Sequence, residues 1–217
     1  MNPKVGTGTL ERNWKVFDEK VEEFDKWYDL HAKLYSCEVR LISSFELQKP
    51  VIEIGIGTGR FSKFAEVEIG IDPSIEALRL AKKRGTEVVM AVGEAVPFRK
   101  GSFGTALIPT TICFTYDPKK VIEEVGRVAE EILLCFVPMD STWGEWYTRM
   151  AKDGHPFYSG AKFYGLARMR ELLIQTGFEL IEEKGTLTFG PEEERVEDPT
   201  CEVKRCGYVC IKARSSE

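Results

Sequence analysis

Val51-Ile52-Glu53-Ile54-Gly55-Ile56-Gly57-Thr58-Gly59-Arg60 is the stretch from which the rest of the chain is read. Val51 to Ile54 is a short apolar run with one acid, Glu53, near its end, and Pro50 marks its entry, so it reads as a strand. Three glycines follow at alternate positions, and Phe61 to Ala65 then reads as a short helix. Glycines after a strand allow a tight turn and let a ligand approach main-chain N–H groups with no Cβ in the way. The ligand is expected in the crevice beyond the strand's carboxyl end.

The glycine spacing decides which ligand. A dinucleotide fingerprint reads G-x-G-x-x-G, whereas the glycines here fall at 55, 57 and 59, which disfavours a nicotinamide oxidoreductase. A second strand, Val67 to Ile71, runs into Asp72, nineteen residues beyond Glu53. A carboxylate only accepts hydrogen bonds, and a ribose diol supplies two donors, so Asp72 suits a ribose. Ser74, or Asp72 itself, can also cap a helix over 75–84.

With an acid two residues ahead of G-x-G-x-G, the sequence resembles class I S-adenosylmethionine (SAM)-dependent methyltransferases, whose first motif reads E/D-x-G-x-G-x-G. The resemblance implies SAM as cofactor, with S-adenosylhomocysteine as product. It places Glu53, Gly55, Ile56, Gly57, Thr58, Gly59 and Asp72 in the cofactor site. Val92-Gly93-Glu94-Ala95-Val96-Pro97-Phe98 is similar to the family's G-D-A-E-x-L-P-F, whose aspartate meets the adenine amino group. Val92 stands at that aspartate's position, so adenine recognition falls either to the main chain of Val92 and Gly93 or to Glu94. Gly104 is a second departure, since relatives commonly read S-F-D where this chain reads Ser102-Phe103-Gly104. Thr110, at the end of the fourth strand (Thr105 to Pro109), is expected near the methyl group.

The segment 17–27 carries Phe17-Asp18 and Phe24-Asp25 and resembles the F-D-x-x-A-x-x-Y-D helical flap of small-molecule methyltransferases. Asn13 to Phe45 reads as helical: Val16, Phe17, Val21, Phe24, Trp27, Tyr28 and His31 recur at three- and four-residue steps as one apolar-aromatic stripe, and Lys33 to Phe45 is expected to continue it after a break. Helices are also expected from Asp117 to about Ala129 and over Leu166 to Thr176, with strands over 87–91, 132–137 and 207–212. A further strand over 178–181 and 186–189 is expected to bulge near Gly185. Met139 to Tyr164 interrupts the α/β rhythm with dense aromatics and reads as a lid or substrate wall, or as a satellite core. Gly190 to Thr200 is acidic and reads as a solvated loop.

Together these define an α/β, Rossmann-like methyltransferase fold. Its mostly parallel seven-stranded sheet is expected to have helices on both faces and a C-terminal antiparallel strand pair. One domain over 1–217 is expected, with 1–49 as helical flap and 138–164 as lid-like insertion. The expected activity is methyl transfer to a small-molecule acceptor, as in the ubiquinone and menaquinone methyltransferases; a non-catalytic SAM-binding protein is the alternative. His155 and Tyr147 are the catalytic candidates by type, with Tyr28, His31, Tyr116 and Asp140 behind them. Packing is the simpler account of each.

Composition narrows the partners. The chain has 217 residues, 43% of them hydrophobic, and a net charge of −5 with no dominant basic run. A nucleic-acid partner gripped through phosphates is therefore not expected. No stretch approaches the roughly 20 apolar residues that span a bilayer, and no signal-peptide core is seen, so a cytoplasmic protein without a membrane partner is expected. The six cysteines lack C-x-x-C spacing, and there are only two histidines. They are expected to be unlinked thiols that bind no metal, with Cys206 and Cys210 on one face of the last strand. A thiol site for a soft substrate such as arsenite is the alternative.

Overall fold

The computed structural model describes residues 14–216, so the first thirteen residues of the expected flap lie outside the described residues. The amino-terminal stripe forms three helices, α1 (Lys15–Glu19), α2 (Val21–Leu30) and α3 (Ala32–Ser43), broken at Lys20 and His31. Neither α1 nor α2 has a fully buried residue, whereas α3 buries Leu34, Cys37, Glu38, Leu41 and Ile42. The stripe therefore anchors at α3, and the two earlier helices overhang the sheet edge.

Then follow β1 (Val51–Ile54), β2 (Ile69–Asp72), α4 (Ile75–Lys83), β3 (Glu87–Met90) and β4 (Phe103–Pro109). After them come α5 (Pro118–Val128), β5 (Ala129–Phe136), α6 (Thr142–Lys152), α7 (Leu166–Gln175), β6 (Phe178–Thr186) and β7 (Tyr208–Ser215). The helix starts follow local chemistry. Ser74 Oγ accepts from Ala77 N at the head of α4, Asp117 with Pro118 opens α5, and Ser141 Oγ accepts from Gly144 N at α6.

The seven strands lie in the order β3-β2-β1-β4-β5-β7-β6. β1 to β5 are parallel, and β7 pairs antiparallel with both β5 and β6. The order reverses between β1 and β4, which places the binding crevice over their carboxyl ends. Alternation sends residues to opposite faces: Ile132, Leu134 and Phe136 join one core with α5 and α7, and Leu133 and Cys135 join the other with α3 and α6.

Several expectations are corrected. Phe61 to Ala65 forms successive turns rather than a helix, closed by Val67 N donating to Ser62 O, with Glu66 at a positive φ. The β6 irregularity falls between Leu180 and Glu182, and the strand ends at Thr186 because Leu187 takes a positive φ. The acidic loop is tied to α3: Arg40 pairs with Asp198, and Lys33 Nζ donates to Glu194 O. The cysteines are not all free. Cys135 and Cys210 face each other across the β5–β7 register and form a disulfide. Cys206 precedes β7 and packs in the core opposite to that of Cys210, so the two do not share a face. Among the described residues, no group of three His, Cys, Asp or Glu side chains is placed to hold a metal ion.

Candidate active site

Gly55, Gly57 and Gly59 all adopt positive φ, at 71°, 53° and 78°, a region that side chains with a Cβ avoid. Their turn is pinned to β2, since Gly55 N and Ile56 N both donate to Ile71 O. A Cβ on Gly55 would collide with Thr111 Cγ2 at 2.2 Å, so this loop lies directly on the loop after β4. A Cβ on Gly57 would meet only Phe24, at 3.9 Å, and would fill open cavity.

Two acids stand at this turn. Asp72 accepts from Gly57 N at 2.9 Å and Ser74 N at 2.8 Å. Burial raises its pKa to about 6, against the pull of those two amides. Glu53 is fully buried and accepts from Ser62 Oγ at 2.7 Å. Burial pushes it to about 8, and its Oε1 has no protein partner.

The turn opens into a cavity of about 360 Å³ that runs from Asp72 and Val92-Gly93-Glu94 to Tyr147, Tyr158 and Phe163. α1 and α2 roof it with Phe17, Phe24, Trp27 and Tyr28. The roof is fastened through Asp25. Thr58 Oγ1 and Arg60 Nε donate to its Oδ1 at 2.5 and 2.9 Å, and Arg60 and Arg84 donate to its Oδ2, both at 2.7 Å. Burial would raise the Asp25 pKa, but these bonds prevail and hold it at about 2. Asp18 adds a second fastening by accepting from Ser74 Oγ and Glu76 N, at 2.7 and 3.1 Å.

Of the residues singled out for the cofactor, Glu53, Gly55, Ile56, Gly57, Thr58, Asp72, Val92, Gly93, Glu94 and Thr110 all line the cavity. Gly59 does not: a Cβ there would lie 3.0 Å from Ala81 Cα, so it serves close packing of the loop on α4. Glu94 Oε1 is engaged by Tyr116 N at 2.8 Å and Asp117 N at 3.3 Å, which fixes the start of α5. Thr110 holds a positive φ of 59° at the cavity wall, with its Oγ1 3.0 Å from the Tyr208 hydroxyl.

Tyr147 lines the cavity, and burial pushes its phenol well above the ordinary range. His155 is not on the wall. It stacks on Tyr158, with ring centroids 4.5 Å apart, and burial lowers its pKa. Tyr28 and Tyr116 also line the cavity; His31 and Asp140 do not. Trp143 and Trp146 pack in the core beneath α6 instead of facing a ligand.

One wall residue went unread in the sequence. Glu38 projects into the cavity from α3, four residues after buried Leu34 and three before buried Leu41. A charged residue in register with an apolar stripe is the signal that could have found it.

Fold and site together define a Rossmann-like protein that takes a small ligand at the switch point of its sheet. The model of a family described as "Methyltransferase domain" matches residues 52–131. An uncharacterised protein of Methanocaldococcus jannaschii is 37% identical over 205 residues, which cover 91% of this chain and 98% of that one. An uncharacterised Mycobacterium tuberculosis protein is 38% identical over 173 residues, 76% of this chain and 60% of the relative. A crystal structure from Thermotoga maritima, described as a SAM-dependent methyltransferase and possible histamine N-methyltransferase, superposes with a TM-score of 0.89 at 28% identity. That match covers 94% of this chain and 99% of that one. The chain belongs to the class I SAM-dependent methyltransferases, and SAM is its cofactor. Among the described residues, no helix is long and apolar enough to cross a membrane.

Proposed function

We propose that this methyltransferase acts on a small-molecule acceptor, enclosed between the flap and the 138–164 insertion, by direct in-line displacement. The observation that carries the reading is the continuous cavity, lined both by the residues singled out for the cofactor and by a set of aromatic side chains. The residues at the cofactor end fit SAM. Asp72 presents carboxylate oxygens to a ribose diol, and the unpartnered Oε1 of buried Glu53 suits the ammonium of an amino acid. The open space at Gly57 leaves the loop backbone free to approach the ligand.

When bound, SAM supplies an electrophilic methyl group on a sulfonium. Held by Glu53, the turn at Gly57 and Asp72, it would offer that methyl carbon to an acceptor's lone pair, the carbon–sulfur pair returning to sulfur. The chain's part is then to hold the nucleophile in line and keep water out. Phe17, Phe24, Trp27, Tyr28, Tyr147 and Tyr158 supply such walls. At neutral pH the Tyr147 phenol stays protonated, so it serves as wall and donor rather than base.

The test is S-adenosylhomocysteine release with quinols, catechols, aryl amines, tRNA and protein as acceptors. Turnover is expected on one or more small molecules. Turnover on tRNA or protein with none on small molecules would overturn the reading.

A further inference from the structure

We propose that Glu38 is the recognition point for a cationic nitrogen, and that the methyl acceptor is a small arylalkyl amine held between this carboxylate and the surrounding rings. The inference rests on the small-molecule reading above and names the substrate class for it.

Glu38 is only 9% exposed, and what exposure it has is to the cavity. Among the described residues its carboxylate has no hydrogen-bond donor and no salt-bridge partner. The other buried acids differ in this respect: Glu131 pairs with Lys212 and Arg214, and Glu53 accepts from Ser62. Among the described residues, the titratable groups that interact with Glu38 are neutral at pH 7. These are Tyr28 from α2, Tyr147 from α6, Tyr158 from the segment after it, Tyr208 from β7, and Tyr35 and Cys37 on its own helix. Among the described residues, the two cations on the cavity wall are engaged elsewhere. Arg60 is held by Asp25 and Asp29, and Lys162 donates to Tyr116 O.

A buried carboxylate with no internal counter-charge is costly to keep ionised, and burial pushes Glu38 up to about 8. A ligand cation would supply the missing charge. The rings beside it suit the same guest: Trp27, Tyr28, Tyr147, Tyr158 and Phe163 line this end of the cavity, and aromatic faces attract ammonium groups. Their remaining surface accommodates an aryl or alkyl body. A neutral alcohol of the same shape would leave Glu38 as the uncharged acid and gain no ion pair.

Binding of the ammonium would ionise Glu38 and release its proton to solvent; for transfer, the ammonium passes one N–H proton back to the Glu38 carboxylate, which frees the nitrogen lone pair that forms the bond to the methyl carbon. The free-state pKa lies near 8 and the bound-state pKa below it, so amine affinity is expected to rise with pH from 6 to 8 and then level off.

The experiment is calorimetric titration of 2-phenylethylamine and 2-phenylethanol into the full chain saturated with S-adenosylhomocysteine, in two buffers of different ionisation enthalpy. The wild type is expected to prefer the amine by at least about tenfold, with proton release at pH 7. Glu38→Gln should reduce that preference to within about twofold, while Glu38→Asp keeps part of it. S-adenosylhomocysteine binding to each variant reports an intact fold. Equal binding of amine and alcohol, binding of neither, or a preference untouched by Glu38→Gln would each refute the assignment. A Glu38→Gln effect confined to the ratio of SAM to S-adenosylhomocysteine affinity would mean that Glu38 serves the sulfonium, and would refute it too. Turnover of neutral acceptors alone would sink the amine inference but keep the small-molecule reading. Turnover on macromolecules alone would sink both.

Discussion

Asp72 carries the most specific prediction that a single residue allows. With both oxygens already fixed by Gly57 N and Ser74 N, its carboxylate is pre-oriented for a diol. Asp72→Ala should weaken SAM binding by about 1.5–3 kcal/mol, roughly tenfold or more, in calorimetric titration. An affinity within about twofold of wild type would disprove the ribose assignment. The pH dependence has a definite sign. Burial raises Asp72 to about 6, so below that pH the ligand-free protein holds a proton that a diol-binding carboxylate must lose. S-adenosylhomocysteine affinity should therefore rise between pH 5 and 6.5, and Asp72→Asn should flatten that part of the profile. Gly104 shows how a departure from a family pattern can be a packing requirement. A Cβ there would sit 2.6 Å from Gln48 O, so the missing acid is excluded by the chain that leads into β1. Gly104→Ala should cost about 1–3 kcal/mol, read from the urea midpoint; an unchanged midpoint would show that the Gln48 segment yields freely. The two acids at the glycine turn were legible because their spacing is local. Glu38 was not, because the sequence shows a glutamate on a helix and only the fold shows that no cation among the described residues pairs with it.

At the scale of elements, the flap is where sequence and structure meet most informatively. The aromatic stripe predicts helix, but its purpose emerges only from the burial contrast: α3 is anchored, and α1 and α2 are not. Charged contacts add to the partial packing of Trp27 and Tyr28 on the core, with Asp25 gathering Thr58, Arg60 and Arg84. Asp25→Ala should make opening of residues 21–30 easier by about 1–3 kcal/mol, seen as tenfold or faster amide exchange and a faster SAM off-rate. Exchange in α2 that matches wild type would show that the roof is held by its rings alone. Because Asp25 is held at about 2, below its ordinary 3.8, its contribution is full above pH 4 and fades only as pH falls through about 2. Flap exchange should therefore show no step from Asp25 between pH 5 and 8 beyond the intrinsic rate. Strand β7, antiparallel to both β5 and β6, illustrates the opposite limit. Its existence was readable, but its register was not, since a one-residue slip exchanges faces without altering composition. That is why the Cys135–Cys210 bond and the placement of Cys206 escaped the sequence.

For the whole molecule, the strand–helix alternation and the glycine turn made the sheet and its crevice legible, because both follow from local period and backbone freedom. The enclosure was less so: the 139–164 segment reads equally as substrate wall or satellite core, and the rotation of α6 divides its rings between the two, with Tyr147 at the cavity and Trp143 and Trp146 in the core. The cavity nonetheless joins parts far apart in sequence, from Phe17 to Phe163. Ligand bound there should make the flap, the glycine turn and the insertion open together. At a hundredfold excess over its dissociation constant, SAM should add about 2.7 kcal/mol to stability. For a chain of this size that is roughly a 5–10 °C rise in melting temperature, whereas NAD should give none. Amide exchange should slow jointly in residues 17–30, 53–60 and 155–164, because each contributes to one wall or supports it. Protection limited to 53–60 would mean that the cofactor sits in an open crevice, and the reading of an acceptor enclosed beneath the flap would fail. Slowing in all three segments, lost from 17–30 in Asp25→Ala but kept at 53–60, would tie closure to the Asp25 fastening rather than to the cofactor turn.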